Sequence, residues 1–308
     1  MKIFTILKKG RVKYTLMRGL ARFSLLRELA VYIHCFIYNK KIKNFIRGNE
    51  EILGKTVFEN LEVNTFVQNL KKEGISFGLK LPKKMIEAIY QFAKSENCYA
   101  DRYIKAGFKL EDLDKATLKL NKTILVAQYF NTTKKCKEIN ALSQDPILRK
   151  IAYEYLGSYP KLVGVNLWWT FPVEASEEDK FQHAHMYHRD VDDFKFVKFF
   201  FYLSDVEPDD GAHVFVKGSR SRVPTRNWLD KWNIRRYSDQ EINDFYGSHS
   251  ILEICDKAGN GFAEDTLYVH KGQTPNKKPR LLLQFQFALF DYGVAHDNRK
   301  ESDLETIT

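Results

Sequence analysis

Residues His188 to Val206 read HRDVDDFKFVKFFFYLSDV. From Phe194 onward this is an aromatic and β-branched run, closed by the turn formers Pro208-Asp209-Asp210-Gly211, and such a run reads as a strand. Its opening, His188-x-Asp190, has a definite meaning on extended backbone. Residues i and i+2 point to one face, so an imidazole and a carboxylate can grip the same metal ion. Alternation also places Phe196, Lys198, Phe200 and Tyr202 on one face. If that face is inward, Lys198 is a buried ammonium that needs an anion; on an edge strand it reaches water instead. Both placements fit the sequence equally well.

The strand texture extends outward from this stretch. Leu162–Phe171, Ala212–Val216, Leu267–His270 and Arg280–Leu289 are similar runs, and Gly259-Asn260-Gly261 reads as a further turn. One helix is inserted: Ser238 and Glu241 form a capping box ahead of Ile242, Phe245 and Tyr246. Upstream, residues 60–157 are mostly helical in pattern. Val63, Phe66, Val67 and Leu70 repeat at helical spacing before Gly74. Pro82 suits a first helical turn, with Met85, Ile86, Ile89 and Phe92 as the apolar stripe. The clearest helix has Asp145 as cap, Pro146 at its first position, a buried face of Ile147, Leu148, Ile151 and Tyr155, and Gly157 as its stop. Helices first and then a long β region predict the α+β class, with a sandwich or barrel core supported by helices.

The densest group of potential ligands surrounds the opening motif: His183, His185, His188 and Asp190. An HxD pair is common by chance, as a surface histidine near a carboxylate. A third ligand must come from elsewhere, and His270, ending a strand-like segment, is the best placed. Two histidines with one carboxylate make the facial triad of non-haem Fe(II) oxygenases, which leaves coordination positions open. His183 or His185 could replace His188, although neither has an acid two residues later. Arg280, at the start of the last strong strand, could pair bidentately with the distal carboxylate of a co-substrate. A protein-kinase reading of Tyr187-His188-Arg189-Asp190 fails. Lys195 stands where that loop needs Asn, and no glycine-rich loop or DFG accompanies it.

Composition narrows the class. The 308 residues are 44% hydrophobic and 14% aromatic, enough to build a large core rather than a disordered chain. Cys35, Cys98, Cys136 and Cys255 are scattered, which favours a reducing, cytoplasmic setting and excludes a thiolate zinc finger. The net charge of +10 is unevenly placed: residues 1–48 hold 12 Lys/Arg and one acid, Glu28, so the rest of the chain is close to neutral. This basic arm can meet acidic phospholipid headgroups, nucleic acid or an acidic partner. Nucleic acid is disfavoured because the body shows no basic stripe. Lys8, Lys9, Arg11 and Lys13 interrupt any secretion-signal run. The longest apolar stretch, Leu29 to Tyr38, falls well short of the ~20 residues of a membrane span. The arm therefore reads as a helix packed on its own domain or a partner, with peripheral contact to an anionic membrane as the sharper alternative.

Taken together, residues of about 160–292 resemble the phytanoyl-CoA dioxygenase (PhyH-like) branch of the Fe(II)/2-oxoglutarate-dependent oxygenases. The resemblance is carried by His188-Arg-Asp190-x-Asp192-Asp193-Phe194 and by Lys198 to Val206. It continues through Asp209-Asp210-Gly211-x-His213, Gly218-Ser219, Asp265-Thr266-x-x-x-His270-Lys271-Gly272 and Arg280. It implies a double-stranded β-helix (jelly-roll) core with supporting helices from the N-terminal half. It implies Fe(II) on His188, Asp190 and His270, with 2-oxoglutarate and O2 as co-substrates and Arg280 on the far carboxylate of 2-oxoglutarate. Lys198, Phe200 and Thr266 become candidate co-substrate residues, Asp265 and Thr266 being read first as turn- and strand-positioning groups. Arg220 departs from the family, where His usually follows Gly-Ser. Asp190 argues against the halogenases of the superfamily, which carry a small residue there.

The implied activity is hydroxylation of an unactivated C–H bond in a small-molecule, lipid or glycan-type substrate, with formation of succinate and CO2. Relatives oxidise acyl thioesters, amino acids, alkaloids, terpenoids and sugars, so the family name does not specify the substrate. Trp168, Trp169 and Phe171 could line a mouth together with the loop 172–187, core packing being the commoner fate of each. The competing reading is a non-catalytic jelly-roll binding protein that retains the metal and anion pocket. The organisation expected is a basic arm (1–48), one oxygenase domain (49–296; helical part 60–157, β core 160–292) and a polar tail (297–308).

Overall fold

Asp145 shows how directly local sequence sets an element. Its carboxylate accepts from the Ile147 and Leu148 N–H groups, Pro146 fills the first turn, and Gly157 ends the helix in the left-handed region. The computed structural model describes residues 9–52, 56–58, 60–225 and 235–308. The first eight residues of the basic arm, Lys8 among them, lie outside the described residues. The elements run α1 (Lys9–Leu20), α2 (Ser24–Ile37), α3 (Asn39–Ile52), α4 (Val63–Glu73), β1 (Ile75–Lys80), α5 (Lys83–Ser95), β2 (Cys98–Ala100) and β3 (Gly107–Phe108). They continue with α6 (Leu113–Leu120), β4 (Val126–Gln128), α7 (Thr132–Lys135), α8 (Lys137–Ser143), α9 (Pro146–Leu156), β5 (Lys161–Thr170) and α10 (Glu177–Gln182). The remainder is β6 (Phe196–Tyr202), β7 (His213–Val216), α11 (Asp239–Tyr246), β8 (Ile251–Ile254), β9 (Asn260–Glu264), β10 (His270–Gly272) and β11 (Arg280–Ala288).

Two antiparallel sheets result. The larger has the order β1-β9-β6-β11-β5-β4-β2-β3 and the smaller β10-β7-β8. β11 lies between β5 and β6, with Phe285 opposite both Val165 and Phe199. Strand alternation then sorts the side chains. Val197, Phe199, Phe201, Leu281, Leu283 and Phe285 join the main core with Leu70, Ile89, Leu148 and Ile151 from the helices. Phe200, Tyr202, Phe262 and Leu282 face the smaller sheet and pack with Phe215 and Ile254. This is the face on which alternation puts Lys198. Mixed helices and antiparallel sheets thus match the α+β class.

Several local expectations are corrected. The segment 60–157 is mostly helical as the pattern suggests, but it also contains the short strands β1 to β4, which the pattern does not show. Leu267–Tyr268 form a turn, and His270 opens β10 rather than ending a strand. Pro82 is the N-cap of α5, one position earlier than expected. Asn260 and Gly261 belong to β9 rather than to a turn. Gly261 is needed there because a Cβ would lie 2.5 Å from the Phe200 carbonyl and from the Phe201 ring. Gly261→Ala should therefore cost about 1–3 kcal/mol of stability, read as a lowered denaturation midpoint in urea.

The arm is docked on the body. Met17 of α1 and Ala21 just after it are buried with Val163, Val191, Phe196 and Ala288. His34 of α2 is buried, 2.7 Å from Ser158 Oγ and stacked on Tyr38. Burial, helped by the nearby Lys161 charge, lowers its pKa to about 4. The expected division at residue 48 falls inside α3. At the other end, Asp297 accepts from Thr132, and Thr306 bridges to Gly107.

Candidate metal centre

His188 and His270 face each other as an antiparallel bridge, each N–H donating to the other's carbonyl at 2.9 Å. That pairing puts both side chains on one side of the ladder. Each ring is oriented by a backbone carbonyl: His188 Nδ1 lies 2.9 Å from Met186 O and His270 Nδ1 3.0 Å from Tyr268 O. A carbonyl only accepts, so Nδ1 carries the proton and the Nε2 lone pair is free to ligate. Both Nε2 atoms point at Asp190, 3.6 Å from Oδ1 and 3.4 Å from Oδ2 respectively. Asp190 is fixed in turn by its N–H, which donates to the Thr266 carbonyl at 2.8 Å. Among the described residues His188, Asp190 and His270 form the one group with three potential ligand atoms within 4.8 Å of one another. The donor set of two oriented imidazoles and one carboxylate fits a first-row divalent ion.

The charge balance suits ligation. Burial would raise the Asp190 pKa, but the Lys198 ammonium and the two imidazoles hold it well below the ordinary carboxylate range. Burial and the neighbouring His270 keep His188 neutral, its pKa far below normal. Lys198 is buried and meets anions of its own chain, Asp190 Oδ2 at 2.6 Å and Asp192 Oδ2 at 3.0 Å. Burial opposes its charge, and those two carboxylates overcome this and raise its pKa. Asp192 also accepts from Tyr14 of α1 at 2.9 Å and from Gln286 at 3.2 Å. A chain of charge and hydrogen bonds therefore runs from the arm to the ligand carboxylate. Lys198→Met should lower metal affinity about 10- to 100-fold through loss of this support, measured by competition with a chelating dye.

Arg280 is 3% exposed and donates only to neutral acceptors, the Gly211 carbonyl and Thr170 Oγ at 3.3 Å. Among the described residues no carboxylate pairs with it, and its Nε has no partner. A buried guanidinium without an anion is costly. Arg280 and the three potential ligands line one cavity of about 340 Å³. Phe200 lines it as well, stacked on Phe262 and against His213.

The other sequence candidates are placed as follows. His185 and His183 line the same cavity but stand outside the ligand group. His185 Nδ1 lies 2.8 Å from Thr274 Oγ, and His183 Nε2 3.1 Å from Asp101. Thr266 does not line the cavity; its carbonyl positions Asp190, while its buried hydroxyl has no partner among the described residues. Asp265 accepts from Tyr155 of α9 at 2.6 Å and from Arg220 at 3.0 Å, anchoring the turn that leads to His270. Trp169 and Phe171 are core residues, whereas Trp168 lines the cavity.

Three features escaped the sequence reading. His213 and Glu264 are buried with Nε2 and Oε2 2.6 Å apart, beside His270. Tyr14 reaches Asp192, the second anion on Lys198, from the arm, which no local pattern announces. The cavity is also lined by Gln128 of β4, Asn166 of β5 and Gln284 of β11, and by Arg102 and Arg299. Asn166 and Gln284 interrupt apolar strands, a signal visible in the sequence.

Sheet, cavity and ligand set define a candidate metal-dependent centre. No protein-family profile matches the chain, and no curated protein sequence matches it. Solved structures do resemble it loosely. The non-heme alpha ketoglutarate dependent epimerase SnoN from nogalamycin biosynthesis is 14% identical at a TM-score of 0.47, covering 76% of this chain and 87% of that one. HygX from Streptomyces hygroscopicus, solved with nickel, 2-oxoglutarate and hygromycin B bound, is 11% identical at 0.49, covering 73% and 86%. AviO1 from Streptomyces viridochromogenes Tue57 is 14% identical at 0.47, covering 74% and 96%. At such scores the chemistry of the site rests on this chain's own residues.

Proposed function

We propose that the chain is an Fe(II)/2-oxoglutarate-dependent oxygenase of the PhyH-like type, its two facing sheets forming a double-stranded β-helix. The observation that carries this is the meeting, in one cavity, of a His188–Asp190–His270 ligand set and a buried Arg280 with no carboxylate partner. A dicarboxylate co-substrate satisfies both needs: one end chelates beside the triad and the other pairs with Arg280. Bound iron would supply the oxygen activation needed to attack an unactivated C–H bond, with succinate and CO2 as co-products.

The protein's residues do the rest. Lys198 keeps Asp190 ionised and aimed, while the Met186 and Tyr268 carbonyls fix the imidazole tautomers. Phe200 and Leu282, with Phe262 packed behind Phe200, form an apolar wall that excludes water from one side. The amides of Gln128, Asn166 and Gln284 offer donors and acceptors to a substrate bearing several polar groups, which favours a hydroxyl-rich small molecule over a bare hydrocarbon chain. The loop 172–187, which carries α10, brings His183 and His185 to the cavity wall.

The direct test is anaerobic. Metal-free protein given Fe(II) and 2-oxoglutarate should develop their visible charge-transfer band, and with oxygen it should release CO2 from the co-substrate. Folded protein that gives neither overturns the reading in favour of a non-catalytic binding protein.

A further inference from the structure

Surface apolar side chains scattered singly are ordinary, whereas contiguous ones are not. Among the described residues, ten of the sixteen exposed large hydrophobic side chains fall between Val12 and Ile37. They are ordered. On α2, Leu25, Leu29, Tyr32 and Phe36 recur at i, i+4, i+7 and i+11, a single helical face, and Leu25, Tyr32 and Phe36 are 77%, 72% and 79% exposed. On α1, Leu16 and Leu20 continue the pattern toward Phe23. Other sides of these helices are committed to the body, through Met17 on α1, Ala21 just after it, and His34 opposite the stripe on α2. The apolar stripe is therefore the outer surface of a docked platform, not a core face awaiting its own domain.

Around it the exposed charges are basic with one exception, Glu28. Lys13, Arg22, Lys40 and Lys43 are exposed, and the only acid in residues 1–48 is Glu28. We infer that α1 and α2, flanked by these basic residues, dock the protein on an anionic phospholipid surface, lying in the interface plane. Charge selects this occupant. A second copy would bring two strongly basic arms face to face, whereas acidic headgroups complement the basic rim while acyl chains receive Leu29 and Phe36. Helices of 12 and 14 residues are about 18 and 21 Å long, and no described helix is long and apolar enough to cross a membrane. The inference is independent of the chemistry at the metal centre.

The test is co-sedimentation of the full chain with vesicles of phosphatidylcholine alone or mixed with phosphatidylglycerol. Wild type should partition onto the mixed vesicles and weakly onto the neutral ones. L29E/F36E should lower the partition coefficient at least ~100-fold, and K40Q/K43Q roughly fivefold per charge removed. Both variants alter exposed side chains, and an unchanged far-UV spectrum and melting transition shows that they fold. Wild type remaining in the supernatant overturns the inference, as does equal sedimentation of folded L29E/F36E. A dimer in light scattering that L29E/F36E disperses, without vesicle binding, overturns it in favour of self-association.

Discussion

His188→Ala should give no charge-transfer band with Fe(II) and 2-oxoglutarate, and co-substrate turnover should fall on the order of a thousandfold or more. The loss is large because the ligand set is minimal. With Nε2 of His188 gone, His270 and Asp190 remain, and Asp190 already shares an oxygen with Lys198. The backbone bridge between residues 188 and 270 does not depend on the imidazole, so the variant should fold, and its circular dichroism should match wild type. A band of wild-type intensity in the folded variant would remove His188 from the centre and return attention to His183 and His185, which line the same cavity.

Arg280→Gln should act differently. The guanidinium bonds to none of the three potential ligands, so iron binding should be nearly unchanged while 2-oxoglutarate binds about 100-fold more weakly. That corresponds to ~2.7 kcal/mol, within the range for losing one partner of a buried charged pair. Titrating the anaerobic band with 2-oxoglutarate separates the two parameters, because its intensity at saturation should recover. Glutamine keeps a donor toward the Gly211 carbonyl and Thr170, the present neutral partners of Arg280. Unchanged co-substrate affinity would leave the guanidinium without a ligand role.

Legibility in the sequence followed the length scale of each signal. The α9 helix was readable because Asp145, Pro146 and Gly157 act within one turn of its ends, and the α11 capping box at Ser238 and Glu241 was readable likewise. Strand alternation sorted Lys198 from Phe199 correctly. β2, β3 and β4 were not legible, since strands of two or three residues show no period. Gly261 reads as a turn former in sequence because close backbone approach, the reason for glycine there, is a tertiary fact. At the site, the HxD spacing and the choice of His270 came from chemistry and spacing. The alternatives for Lys198 could be separated only by seeing the preceding loop fold Asp190 and Asp192 back onto it, and Tyr14 arrive from the arm. The arm's composition advertised a basic amphipathic segment, but which side of each helix stays open depends on where the body meets it.

The position of β11 bears on how the molecule comes into being. This strand is the last of the large sheet in chain order, yet it occupies the middle, between β5 and β6. Until residues 280–288 have been synthesised and inserted, β5 and β6 have no neighbour in common, and the halves of the sheet are separate pieces with open edges. Contacts this distant in sequence make for slow, cooperative folding and for intermediates that expose unpaired strands. Nascent chains should therefore lean on chaperones until β11 has been made, and the metal should be acquired only after that strand has inserted between β5 and β6.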